Sequence, residues 1–186
     1  MFDKGILQPL NKEIATEISN WEYERPYDVY NFKGHPDDWL MKESTWGTEQ
    51  FCLLDSETIL GQVACQLDGD DLWVGWSVAP QLCGKGNGSK FIERCVRELR
   101  RVTGHNGRIL LRVAAWNQRA ICAYQKAGFI YVETIEDEIA YSNRVEDFWV
   151  MELPICHRSL EERAAEFGGQ LMLDGEYDWG KTIGKK

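Results

Sequence analysis

Apolar positions recur along this chain with two different periods, and the change of period divides it into elements. A short strand is predicted at residues 5–8. Asn11 is a helix-capping residue type, and Ile14 and Ile18 follow it at i,i+4 spacing, so a helix is predicted over 12–20. Pro36-Asp37-Asp38 carries the start signals of a second helix, over 37–44. From Phe51 the period falls to two. Residues 51–54, 59–67 and 72–78 read as strands, with Asp68-Gly69-Asp70-Asp71 as a turn. In the third strand Leu72, Val74, Trp76 and Val78 alternate with Trp73, Gly75 and Ser77, so it separates two different faces. Such short connections imply an antiparallel meander.

Helical spacing then returns. Phe91, Ile92, Cys95, Val96, Leu99 and Val102 form one stripe over 87–102, and Gly104-His105-Asn106-Gly107 ends it. Residues 109–113 are a compact apolar run, hence a buried strand, and a helix over 117–126 closes at Gly128. The strand–helix–strand order predicts a parallel pairing or near-pairing with a right-handed crossover. Strands at 129–132 and 148–153 complete the sheet, with the acidic stretch 133–147 read as a loop between them. Residues 159–167 read as a short helix and 174–186 as a loose polar tail.

The meander runs directly into Cys83-Gly84-Lys85-Gly86-Asn87-Gly88-Ser89, three glycines at alternate positions before an amphipathic helix. Glycine permits backbone angles that other residues avoid and leaves room for a ligand against the main chain. The helix start adds unpaired N–H groups and its positive dipole end, so the fitting guest is a phosphate or diphosphate. The spacing is not that of a nucleotide P-loop, because Ser89-Lys90 follows the last glycine, and it is not GxGxxG, because Gly88 comes one residue early. Further on, Asn117 and Tyr124 stand two helical turns apart and share a face. Taken alone, Asn117 reads equally as a helix cap and Tyr124 as a core residue.

Together the two segments, with Ala120, Ala123 and Gly128-Phe129, resemble the GNAT superfamily of N-acetyltransferases over residues 58–153. The family signature opens with Gln or Arg where this chain has Cys83, which removes one side-chain contact and leaves the backbone donors. The resemblance implies an α/β (α+β) fold: a mixed central sheet, antiparallel meander first, parallel unit second, helices on both faces. It implies one acetyltransferase domain over 1–153 with 154–186 as an extension. It implies acetyl-CoA as co-substrate, no metal, and direct attack by a primary amine in a ternary complex. Backbone groups of Trp76, Ser77 and Val78 would pair with the pantetheine arm, and residues 83–89 would hold the diphosphate. Asn117 would touch the arm, Arg119 would meet a phosphate, and Tyr124 would protonate the departing thiolate. Transfer of a longer acyl group, or a non-catalytic coenzyme A-binding sensor, are the other readings of the same motifs.

The family walls its acceptor site with the first helices and the loop between them. Here that region is aromatic, with Trp21, Tyr23, Tyr27 and Tyr30 among carboxylates, and it resembles a segment of some small bacterial members. Trp21, Tyr27 and Tyr30 suit an amine with an apolar body, or else they pack helices onto the sheet. No base singles itself out from Glu22, Glu24, Asp28, Glu49 and Asp70, and a water chain is a further option.

Composition agrees with this picture. The chain has 186 residues, enough for one core, and is 44% hydrophobic, which argues against a disordered chain. Its net charge of −9 argues against a nucleic-acid partner and suits a cationic acceptor, a small amine or a peptide. Arg94, Arg97, Arg100 and Arg101 share one helix with Glu93 and Glu98 and read as a solvated face. The six cysteines show no CxxC pair, which argues against zinc. Cys83 is near a helix start, where a thiol either gains reactivity or sits inert. No run can span a bilayer and no secretion signal opens the chain, so a cytoplasmic protein with reduced thiols is expected, as monomer or homodimer.

Overall fold

The period-two segments assemble into one seven-stranded sheet in the order β1-β2-β3-β4-β5-β7-β6. The structure is a computed structural model describing residues 2–32, 39–139 and 144–155. In chain order the elements are β1 (Ile6–Pro9), α1 (Lys12–Ser19), β2 (Gln50–Asp55), β3 (Thr58–Asp68), β4 (Asp71–Val78) and α2 (Gly88–Thr103). They continue with β5 (Ile109–Ala114), α3 (Gln118–Lys126), β6 (Ile130–Ile139) and β7 (Arg144–Leu153). β1 to β4 form the antiparallel meander; β4 and β5 are parallel; β7 lies antiparallel between β5 and β6.

The caps act as the sequence suggests. The Asn11 side chain accepts from Ile14 N (2.8 Å) at the start of α1, and Gly104, at φ +69°, ends α2 through its N–H to Arg100 O. Every residue of β3 from Ile59 to Cys65 is buried, so both faces of this inner strand are covered. The α2 stripe packs onto one of them. Phe91, Ile92, Cys95 and Leu99 are buried there with Leu111, Ile121, Phe129 and Met151. At about 1.5–3 kcal/mol for each large apolar side chain, this stripe anchors α2 to the sheet.

Three expectations change. The acidic stretch 133–147 is not a loop: β6 and β7 run through its described residues as a hairpin, with Ile135 opposite Phe148 and Ile139 opposite Arg144. Its alternation is masked because β6 is an edge strand, where Glu136 and Glu138 are exposed between Ile135 and Ile139 and everything from Ile130 to Thr134 is exposed as well. The helix expected at 37–44 is replaced, from residue 39 on, by two 3₁₀ turns, Trp39–Met41 and Glu43–Thr45. Nor is the α2 charge row wholly solvated. Glu98 is only 4% exposed; it accepts from Leu7 N (3.3 Å) and pairs with Arg94 and Arg101 (2.9 Å each), while Arg94 Nε donates to Gly5 O (2.6 Å). These charges tie α2 to the N-terminal strand. The helix expected at 159–167 and the tail at 174–186 lie outside the described residues.

Gly61 on β3 marks the tightest packing. A Cβ there would lie 2.4 Å from Phe91 Cζ and 2.7 Å from Ser77 O. Gly61→Ala is expected to lower the unfolding free energy in urea by about 1–3 kcal/mol, the usual cost of overpacking. An unchanged unfolding midpoint would show that α2 does not press on β3 as described.

Candidate active site

The site begins where two strands part. β4 and β5 pair only at Leu72↔Ile109 and Trp73↔Leu110. In an antiparallel ladder each residue points both main-chain groups to the same neighbour, alternately to either side. Ala79 N donates to Leu60 O (3.0 Å), and the β3–β4 register is unbroken, so Trp73, Gly75 and Ser77 face β3. Leu72, Val74, Trp76 and Val78 therefore face β5; Leu72 N does reach Arg108 O, at 3.1 Å. By the same parity Ala115 N, on Asp147 O (2.8 Å), sets Leu111 and Val113 toward β7, and Arg112 and Ala114 toward β4. Beyond the two paired positions, the Val74 carbonyl and the main-chain groups of Trp76 and Val78 look across a gap at Arg112 and Ala114. Of the trio expected to meet a pantetheine arm, Trp76 and Val78 present their main chains, while that of Ser77 is committed to β3.

A cleft of about 510 Å³ occupies this gap and continues over the glycine loop. Its wall includes all of residues 82–89, Asn117, Arg119 and Tyr124. Gly84 and Gly86 have φ of +73° and +72°, with nothing within 4 Å of an added Cβ, so both serve conformation and open space. Gly88 does a different job: a Cβ there would lie 2.9 Å from Ala123 Cβ, so its bareness lets α2 start against α3. Among the described residues, the amides of Gly84 to Lys90 meet no main-chain acceptor; the first that does is Phe91 N, on Asn87 O at 3.1 Å. A row of unsatisfied donors thus faces the cleft, as expected of a helix start.

The charge of the wall is opposite to that of the chain. Lys85, Arg112, Arg119 and Lys126 line it, and no Asp or Glu among the described residues does. Glu22, Glu24, Asp28, Glu49 and Asp70, weighed as bases from sequence, all lie outside this lining.

Tyr124 is half-buried beside Trp76 and Phe129, ring to ring at 6.2 and 5.8 Å. Trp76 Nε1 donates to Tyr124 Oη (3.2 Å). An indole only donates, so the phenol accepts here and keeps its own proton for another acceptor. Burial pushes the Tyr124 phenol up to about 12, against the opposing pull of the Trp76 bond.

The aromatic region divides. Trp21 is a core residue, 8% exposed and absent from the wall. Tyr27 and Tyr30 do line the cleft, each 5.9 Å from the Trp116 ring, and Arg119 lies over the Tyr27 ring at 3.6 Å. Asn117, 7% exposed, is held at both ends: its Oδ1 accepts from Ala120 N (3.2 Å) as a cap, and its Nδ2 donates to Tyr30 Oη (3.4 Å). Burial raises the Tyr30 phenol. Cys83 is not set up as a thiolate. Its Sγ is turned to Val78 O and Ala79 O (3.7 Å each), and burial raises the thiol.

Tyr23 is the residue that sequence reasoning left out. Its Oη donates to Val78 O (2.9 Å), a β4 carbonyl facing the gap, and its amide donates to Asn31 Oδ1 (2.7 Å). Burial holds this phenol well above its ordinary range. Its place in a run of aromatics was visible; its partner, a main-chain carbonyl fixed by strand parity, was not. Among the described residues no helix is long and apolar enough to cross a membrane, and no three His, Cys, Asp or Glu side chains gather as a metal site.

Comparison with known proteins accords with this geometry. No curated protein sequence matches the chain. Among solved structures, it is similar to a spermidine N-acetyltransferase from Vibrio cholerae in complex with CoA and spermine: 19% identity, TM-score 0.64, 82% of this chain and 96% of that one. It is also similar to the ribosomal-protein-S18-alanine N-acetyltransferase of Escherichia coli (22%, TM-score 0.57, 81% and 94%) and to a GNAT-family acetyltransferase of Bacillus anthracis (14%, TM-score 0.63, 83% and 96%). At these identities the likeness speaks for the fold. The model of the acetyltransferase (GNAT) family matches residues 15–129, more than half of the chain, and the protein belongs to that family.

Proposed function

We propose that this acetyltransferase moves an acetyl group from acetyl-CoA to an amine, which attacks directly within a ternary complex. The observation that carries this reading is the cleft wall itself. In a chain of net charge −9, one groove is lined by two lysines and two arginines, has no carboxylate among its described lining residues, and ends on free amides at a glycine loop. Such a wall selects a polyanion. The gap between β4 and β5 supplies what a polyanion alone would not need: a slot of main-chain donors and acceptors matching an extended amide-bearing arm.

Each part then has a role. The amides of residues 83–89 take the diphosphate. Trp76 and Val78 take the arm, and a β4 amide facing the gap polarises the thioester carbonyl. Acetyl-CoA brings the activated acyl group; the chain orients it and manages the protons. Tyr124 is the proton donor for the departing thiolate. A thiol has an ordinary pKa of about 8.5, below that of a phenol, so the phenol acts by hydrogen bonding or by transfer concerted with bond breaking. Its raised pKa keeps it protonated throughout the working range, and Trp76 leaves its hydrogen free. The face of β4 carrying Gly75, where an added Cβ would meet nothing within 4 Å, is open to an incoming amine. Two of the solved relatives are named for a polyamine and for an alanine of a ribosomal protein, which favours a primary amine on a small molecule or a peptide. No carboxylate lines the cleft among the described residues, which favours water as the route for the amine's proton. The domain is assigned to residues 1–153, and a cytoplasmic setting fits its reduced thiols.

Thiol release from acetyl-CoA, assayed with a panel of polyamines, peptides and aminoglycosides, tests the activity; release with none of them contradicts it. Tyr124→Phe is expected to lower turnover roughly 100-fold with coenzyme A affinity retained, the usual scale for losing a general acid. Unchanged turnover would remove Tyr124 from the mechanism. A phenolate absorbance titration, wild type minus Tyr124→Phe, is expected to show the Tyr124 step near pH 12, so the alkaline limb of kcat/KM belongs to another group. A step near the ordinary phenol value of about 10 would contradict the burial described.

A further inference from the structure

The cleft passes through the opening between β4 and β5, so it has an end on each face of the sheet. Residues paired across strands share a face. Gly61, pressed by Phe91 of α2, is paired with Val78, which puts Val74, Trp76 and Val78 on the α2 face and Trp73 and Gly75 on the opposite one. Trp73 is paired with Leu110, so Leu110, Arg112 and Ala114 share that far face. Continuing the same register by two residues sets Gly75 level with Arg112. The missing side chain of one strand thus leaves space beside the guanidinium of the other. Both line the cleft, with Ala114, Phe148 and Tyr30 around them. Lys85 in the glycine loop and Arg119 and Lys126 on α3 belong to the other end. Arg112 is the cation of the far end.

Arg112 is held in place from two sides. Its guanidinium lies 5.7 Å from the centroid of the Trp73 ring, and its Nη1 donates to Asp137 Oδ2 on β6. Asp137 is fixed in turn, its Oδ1 accepting from Glu138 N (2.8 Å). Nε and Nη2 of Arg112 meet no acceptor among the described residues. A guanidinium oriented by a ring and a carboxylate offers its remaining donors in a set direction, and that fork matches a second carboxylate. Asp137 and Glu146, paired across β6 and β7, are engaged by Arg112 and Arg144, and neither lines the cleft. Resting on the reading of the cleft as an acetyl-CoA site, we infer that Arg112 binds a carboxylate of the acceptor, so the substrate is an amine that carries a carboxylate, as an amino acid or an acidic peptide does, and not a polyamine. The net charge of −9 draws polyamines to the surface of the chain, but the wall of the cleft offers their further ammonium groups no carboxylate and sets a cation against them.

Thiol release from acetyl-CoA, compared between matched acceptors, tests this. kcat/KM is expected to be about tenfold or more higher for a free amino acid than for its carboxamide, or for a peptide beginning Asp-Ala than for one beginning Asn-Ala, the scale of a charge-assisted hydrogen bond. The pair that shows the difference identifies the source of the carboxylate. Spermidine is expected to be a poorer acceptor than either. Arg112→Gln is expected to erase the discrimination by raising KM for the carboxylate-bearing acceptor, with coenzyme A affinity by calorimetry retained, and Arg112→Lys to keep part of it. A merely structural loss would lower the rates of acid and amide alike. Equal kcat/KM within both wild-type pairs, a preference for spermidine, discrimination that survives Arg112→Gln, or a loss of coenzyme A affinity in its stead overturns the inference and leaves the proposed function standing. Thiol release with no amine at all overturns the proposed function, and the inference with it.

Discussion

The site depends on one interruption: β4 and β5 stop pairing after Trp73 and Leu110. Buried main-chain polar groups need partners, and a sheet that opens in its middle leaves them without any. Strand parity decides which residues bear the consequence. The Val74 carbonyl, the Trp76 main chain and the Val78 amide on one side, and Arg112 and Ala114 on the other, aim into this opening, while the Val78 carbonyl takes the Tyr23 hydroxyl. The rest of the fold holds this opening at a fixed width. α2 is pinned to β3 through Phe91 over Gly61, and α3 is pinned to α2 through Ala123 against Gly88.

The three loop glycines divide the labour. Gly84 and Gly86 adopt left-handed angles with open space beside them, while Gly88 is small because a helix lies against it. Loop and splayed strand meet at Val78, whose carbonyl takes the Tyr23 hydroxyl and, more distantly, the Cys83 thiol. The N-terminal aromatic segment is thereby fastened to the end of β4 by Tyr23 and to the start of α3 by Tyr30 on Asn117. The aromatic segment and the glycine-loop cleft thus share their fastenings.

Much of this was legible in the sequence, because the signals were local. Asn11 and Asn117 announced their caps, Gly104 its helix end, and the alternation from Leu72 to Val78 its two faces. The loop at 83–89 and the Asn117–Tyr124 face carried the family resemblance. What stayed hidden depends on partners distant in the chain. The alternation of β6 was blurred by its exposure at an edge. Burial of Glu98 follows from the arrival of β1, 91 residues away, which no local charge pattern discloses. Trp21 looks like its aromatic neighbours in sequence, yet it is core while Tyr27 and Tyr30 line the cleft. That Ser77 faces β3 while Trp76 and Val78 face the gap is a matter of hydrogen-bond parity, invisible without the register.

Amide hydrogen exchange across β4, with and without acetyl-CoA, tests the central claim most directly. The account predicts that the Ser77 amide is protected in the free protein, whereas the Trp76 and Val78 amides exchange faster and slow markedly when acetyl-CoA is added. Equal exchange at all three in the free protein, or no slowing at Trp76 and Val78 with the ligand bound, would contradict it.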